Sequence, residues 1–211
     1  VAVSCLAEID PEDVLPLFRR SEANWRGDTP EHGSRGEMHV SPMRPDPVLY
    51  PAFLEAARSL GYDECPDFNV AQPEGFGMPD CTIRQGRRAS TMRAFIDPVA
   101  GRANLAVVSN ATVRRVLFRG NRASGIELAD GAEVRVLRCR GEVILCAGAL
   151  NSPHLLMHSG LGPGAELQAW GIATIRDLPG VGQNLQDHPI AMAIMRSAKP
   201  IAFNRAIRLD R

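Results

Sequence analysis

An α/β fold is predicted for this 211-residue chain, and three features predict it. Residues 112–138 alternate apolar and charged side chains across two short turns, as antiparallel strands with one solvated face do. Val143-Ile144-Leu145-Cys146-Ala147 is then continuously apolar, which suits a strand covered on both faces of a parallel sheet. Small residues, Gly148-Ala149, follow at once and lead into a helix. The order is therefore meander, buried strand, tight turn, helix. In open α/β sheets ligands bind at the carboxyl ends of strands, where this turn would lie.

Taken in order, Asp10-Pro11 opens a helix that runs to Arg20, with Val14, Leu15 and Phe18 on its apolar face. A Gly- and charge-rich loop spans 26–37, and Met38 to Ser41 predicts a short strand. A second helix runs from Pro51 to Leu60 and stops at Gly61. Residues 62–90 are rich in Gly, Pro and Asp and predict an ordered, extended loop. Helical turns follow over 90–95, and Leu105 to Ser109 predicts a strand. Three strands are expected at 112–118, 123–128 and 133–138, joined by Gly120-Asn121 and Asp130-Gly131. After the buried strand, Asn151 or Ser152 is expected to cap the helix, with Pro153 at its first position and Ser159-Gly160 at its end. A helix at 165–170, a strand at 172–175, a Gly-rich loop at 178–189 and a strand from Ile190 to Met195 complete the reading.

Composition narrows the function. Lysine plus arginine and aspartate plus glutamate both total 24, so net charge is zero and gives nucleic-acid binding no support. Lys199 is the only lysine, a bias that reads as genomic composition. Cys5, Cys65, Cys81, Cys139 and Cys146 contain no Cys-x-x-Cys pair and read as reduced thiols, which predicts a cytoplasmic setting. No apolar run approaches the ~20 residues of a membrane span. Residues 1–9 are mildly apolar but lack the basic start of a secretion signal. A start without Met and a stop in the basic stretch 205–211 are both read as cuts.

Several motifs fit plainer roles. Gly160-Leu161-Gly162-Pro163-Gly164 follows a helix, and Gly180-Val181-Gly182 lacks a third glycine, so both read as turns and not as dinucleotide loops. His154 and His158 have a metal-binding spacing, but Leu155 stands where a zinc protease has Glu and no third ligand is apparent; packing or exposure is the reading adopted. Asp187 and His188 are adjacent, so their side chains are poorly placed to pair, and a loop-fixing role is expected.

Gly148-Ala149-Leu150-Asn151-Ser152-Pro153, Leu155-Leu156 and Ser159-Gly160-Leu161-Gly162 together resemble a signature motif of the glucose–methanol–choline (GMC) oxidoreductases. Leu178-Pro179-Gly180-Val181-Gly182-Gln183-Asn184-Leu185-Gln186-Asp187-His188 resembles another element of that family. Asp13 to Phe18, His32-Gly33 with Gly36, and Gln85 to Ser90 resemble further recurring segments. The resemblance covers residues 11–196 and is nearest to choline dehydrogenase-like members. It implies an internal segment without the family's Gly-x-Gly-x-x-Gly start and without its catalytic His. It implies part of a Rossmann-like FAD-binding domain with a three-stranded antiparallel meander, plus fragments of an α+β substrate domain. The implied division is a helical and loop region at 1–100, an FAD-binding portion at 101–189 and the start of a substrate-domain segment at 190–211. The implied activity is hydride transfer from a small-molecule alcohol to flavin, with a His taking the hydroxyl proton. No residue here matches that His, so the resemblance carries over only cofactor contacts: the backbone of Val113, and Ala147 with Gly148 at the strand end. The small size of Ala147 and Gly148 can equally serve helix packing. A truncated, non-catalytic remnant or binding module of the same fold stays open as the alternative.

Overall fold

The computed structural model describes residues 10–44, 47–131 and 133–194. The apolar start at 1–9, the end of the strand expected at 190–195 and the later part of the expected 190–211 segment lie outside them. The chain divides into two compact units, whose described parts are residues 10–106 and residues 107–192 with a separate continuation at 193–194 that belongs to the first.

In the first unit, α1 (Pro11–Ser21) begins as expected. The Asp10 side chain accepts the Glu12 N–H at 3.0 Å, and Pro11 needs no partner for the donor it lacks. Glu12 and Asp13 in the first turn and Arg19 and Arg20 in the last complement the helix dipole. A strand the sequence did not reveal, β1 (Glu22–Asn24), pairs in parallel with β2 (Met38–Pro42), Glu22 opposite Met38. Three residues are too few to show a period of two. α2 (Leu49–Ser59) starts two residues before the expected Pro51. The segment 62–90 is mostly irregular yet ordered. It contributes β3 (Asp80–Cys81), antiparallel to β2, and the tight hairpin of β4 (Ile83–Arg84) with β5 (Arg87–Arg88). A π-helical turn at Met92–Ile96 and a 3-10 turn at Asp97–Val99 stand where helical turns were expected.

In the second unit the meander forms as predicted, β6 (Thr112–Arg119), β7 (Arg122–Asp130) and β8 (Glu133–Arg138) pairing antiparallel in that order. Then come α3 (Gly148–His158), β9 (Leu161–Gly162), α4 (Gly164–Ala169) and β10 (Arg176–Asp177), with β9 and β10 paired in parallel. Leu161 and Leu167 are the largest fully buried side chains, and Val116 and Leu128 of the meander are also buried.

Four expectations are corrected. Residues 105–109 form no strand, and Val107 and Val108 are exposed. The apolar run 143–147 is extended but joins no ladder, and Ile144 is 74% exposed where burial on both faces was expected. Both segments have strand-forming side chains but pair with no other strand among the described residues, and a strand exists only with a partner. The third short strand lies at 176–177 and not at 172–175, because its partner is β9. Residues 190–194 form no strand. The fold remains mixed α/β with the antiparallel meander that was predicted.

Candidate cofactor site

The site is built around α3, and α3 starts earlier than its sequence suggested. Its N-cap is Ala147, so Gly148 is the first helical residue and Pro153 lies inside the helix. The expected cap at Asn151 or Ser152 is therefore wrong, for a physical reason. Ser152 acts from within the helix, its Oγ accepting the Ala147 N–H at 3.0 Å, which satisfies the chain just before the first turn. Gly148 has φ +85°, and a Cβ built on it meets nothing within 4 Å. Glycine is thus required there by backbone conformation and not by tight helix packing. Ala147, Gly148 and Ala149 are exposed, and Leu150 is 68% exposed. The packing explanation for the small residues is not supported, and the first-turn backbone faces open space.

The far end of α3 is anchored on the meander. Ser159 is buried, its Oγ accepts the Val116 N–H at 2.8 Å and it donates to the Leu155 carbonyl. Gly160 then reverses the chain with φ +82°, and its carbonyl accepts the Ile175 N–H at 2.8 Å. A Cβ at Gly160 would stand 2.6 Å from the Ala173 carbonyl oxygen. The Ser-Gly-x-Gly run is therefore a joint between helix, meander and the β9–β10 pair.

Val113 lies in β6 opposite Leu128, half-buried, and the next register step is irregular. Arg115 pairs with Glu127, so Arg114 is an extra residue in β6, a bulge. Neighbouring strand residues normally point to opposite faces, yet here both arginines approach one carboxylate. Arg115 Nε and Nη2 reach Glu127 Oε2 at 2.9 and 2.7 Å, and Arg114 Nε lies 3.7 Å from Oε1. The sequence alone did not reveal this bulge, since a two-residue arginine run has no periodicity that shows it. It leaves the backbone beside Val113 outside the regular ladder.

A groove of about 1000 Å³ runs along α3 and the 180–186 loop, lined by Leu150, Asn151, His154, Gln183, Asn184 and Gln186 among others. Asp187 uses its carboxylate on the His188 backbone N–H at 2.7 Å, a local loop contact and not an orienting pair with the ring. His154 and His158 are both exposed, with Nε2 atoms 3.1 Å apart. Among the described residues no group of three or more His, Cys, Asp or Glu is arranged for a metal.

The first unit carries a separate buried polar cluster that sequence reading missed. His32 is 3% exposed, and its two ring nitrogens meet Glu22 Oε2 and Asp67 Oδ2, each at 2.9 Å. Asn24 donates to Glu22 Oε1 at 2.8 Å, and Arg26 sits between Asp67 and Asp80. Burial lowers the His32 pKa, but hydrogen bonds and charge from Glu22 and Asp67 outweigh it and raise the net value above the ordinary one. Burial raises that of Asp67, but the Asn69 N–H, His32 and Arg26 bring it below the ordinary carboxylate range. Contacts between residues up to 54 positions apart leave no local signal.

Residues 4–190 match the family model described as GMC oxidoreductase. An oxygen-dependent choline dehydrogenase of Burkholderia ambifaria is 42% identical over 199 residues, 93% of this chain and 35% of that protein. One from Ectopseudomonas mendocina is 42% identical over 201 residues, 93% of this chain and 36% of its own. The structure of pyridoxine 4-oxidase from Mesorbium loti superposes with a TM-score of 0.76 at 34% identity, covering 84% of this chain and 35% of that one. That of an FAD-dependent oxidoreductase from Chaetomium thermophilum gives 0.76 at 29% identity, with 83% and 33% covered. The chain spans about a third of the length of the curated relatives it matches. With a family model matched along most of its length and a meander joined to α3 through Ser159, this chain belongs to the GMC oxidoreductase family.

Proposed function

We propose that the chain is part of an FAD-dependent oxidoreductase acting on the CH–OH group of a small-molecule alcohol, and that it supplies one wall of the FAD site. The observation that carries this reading is the family match over residues 4–190. The residues present fit such a cofactor. The turn at Ala147-Gly148 is exposed, small and conformationally set by glycine, and α3 presents first-turn N–H groups without intrahelical partners. Val113 offers backbone beside a bulge, where ladder pairing is interrupted. We assign cofactor contact to the backbone of Val113 and to Ala147 and Gly148. Bound FAD would supply the hydride acceptor. The chain's own contribution is seating: Ser152 holds the turn, and Ser159 ties α3 to the meander. No catalytic residue is assigned to this chain.

Residues 101–189 are read as the FAD-binding portion, 1–100 as the helical and loop region beside it, and 190–211 as the start of a substrate-domain segment. Among the described residues no helix is long and apolar enough to cross a membrane. Cys65, Cys81, Cys139 and Cys146 are free thiols, on which we assign the protein to the cytoplasm. The relatives named as choline dehydrogenases make choline the first alcohol to test. The parent protein containing this chain is expected to carry flavin whose visible absorbance is bleached anaerobically by an alcohol, choline first. A parent protein that retains flavin but is bleached by no alcohol in a broad panel overturns the activity; one purified without flavin, and unable to take it up, overturns the cofactor reading.

A further inference from the structure

His154 and His158 are not needed by the cofactor-seating role, and their geometry says more than their spacing did. Both are exposed on α3, four residues apart, so their side chains rise from the same face of the helix. Their Nε2 atoms are 3.1 Å apart and their rings meet edge to face, centroids 4.5 Å apart. A neutral pair so placed shares one proton, with one Nε2 donating and the other accepting. Two imidazole nitrogens 3.1 Å apart, each about 2.0–2.1 Å from a common metal ion, subtend about 98° at the metal. That lies between the right angle of adjacent square-planar or octahedral positions and the wider tetrahedral angle. The helix thus holds the bite of a chelate without backbone movement. Metal entry needs one ring to carry its hydrogen on Nδ1 instead of Nε2. Both rings then turn about χ2, a soft torsion for histidine.

We propose that His154 and His158 form a bidentate site for a borderline divalent transition-metal ion such as Ni²⁺, Cu²⁺ or Zn²⁺. Imidazole nitrogens suit these ions and not Mg²⁺ or Ca²⁺, which take oxygen ligands. No third His, Cys, Asp or Glu completes the set among the described residues, so water fills the remaining positions and the site is open. The metal replaces the shared proton as the bridge between the rings and pins the last turn of α3.

Isothermal titration of the chain with NiCl₂ in a non-coordinating buffer tests this. One Ni²⁺ per chain is expected to bind. His154→Ala and His158→Ala should each weaken it by about tenfold or more, because the second imidazole on the same helix binds intramolecularly. CuCl₂ should bind tighter than NiCl₂, and MgCl₂ should not bind. Absence of Ni²⁺ binding to the unaltered chain overturns the proposal. So does binding of unchanged strength in either variant, which would move the metal to His32, His39 or His188. Both positions are exposed, so far-UV circular dichroism should be unchanged; where alanine alters it, His154→Gln and His158→Gln serve instead.

Discussion

A single hydroxyl, Ser159 Oγ, joins α3 to the meander. It satisfies the buried Val116 N–H, and no other group on Ser159 can. Ser159→Ala is expected to cost about 1–3 kcal/mol, the penalty of an unsatisfied buried amide, read as a lower urea midpoint with an unchanged slope. His32 makes a second residue-scale prediction. Its folded pKa is raised, so its contribution to stability is complete below the ordinary value of about 6.5 and is lost as pH rises through the folded value. Asp67 is lowered, so its contribution is present above the ordinary carboxylate range and is lost as pH falls through the folded value. Stability should therefore decline on the alkaline side near and above neutrality. Urea midpoints across pH should show that decline, and His32→Gln should remove it; an identical decline in the variant would assign it elsewhere. Of these residues, Ser159 and His32 were legible as parts of motifs. Their partners were not, because Val116 and Asp67 are brought to them by chain folding over 43 and 35 positions.

Elements with local signals were legible, and the short strands β1, β3, β9 and β10, which exist only through a partner, were not. α1, α4 and the meander carry their caps, turns and alternation within their own sequence. α3 was placed too late because Ser and Pro are strong start signals, yet here Ser152 reaches back from inside the helix to Ala147. The β9–β10 pair depends on Gly160, which combines a left-handed φ with close approach of the Ala173 carbonyl. Gly160→Ala is expected to destabilise by at least about 1–2 kcal/mol, the cost of a left-handed L-residue, with the 2.6 Å clash adding to it. Gly141→Ala, at a site without positive φ and with nothing within 4 Å, is the matched control and should shift the thermal midpoint little.

At the scale of the molecule, the two units differ in what they bury. Residues 107–192 bury Val116, Leu128, Leu161 and Leu167, whereas the buried apolar residues described in 10–106 are Ala57, Cys65, Ala89 and Ala94. Burial of larger side chains stabilises more, roughly in proportion to area. Hydrogen exchange should therefore be slowest in β7, paired on both sides, while 142–146 should exchange fast despite its apolar sequence because its amides join no ladder. Protection of 142–146 equal to that of β7 would contradict the assignment of that run as unpaired.

The sequence by itself determined the family, the mixed α/β class and the meander, because each is written in local periodicity, turn chemistry or contiguous motifs. Tertiary structure alone decided which apolar runs became strands, where β6 bulges beside Val113, how Ser159 joins α3 to β6, and that two histidine nitrogens stand 3.1 Å apart. The physical reason is common to all four. Strand pairing, register and ring approach depend on what lies opposite in space, and a linear pattern specifies only what lies beside a residue in the chain.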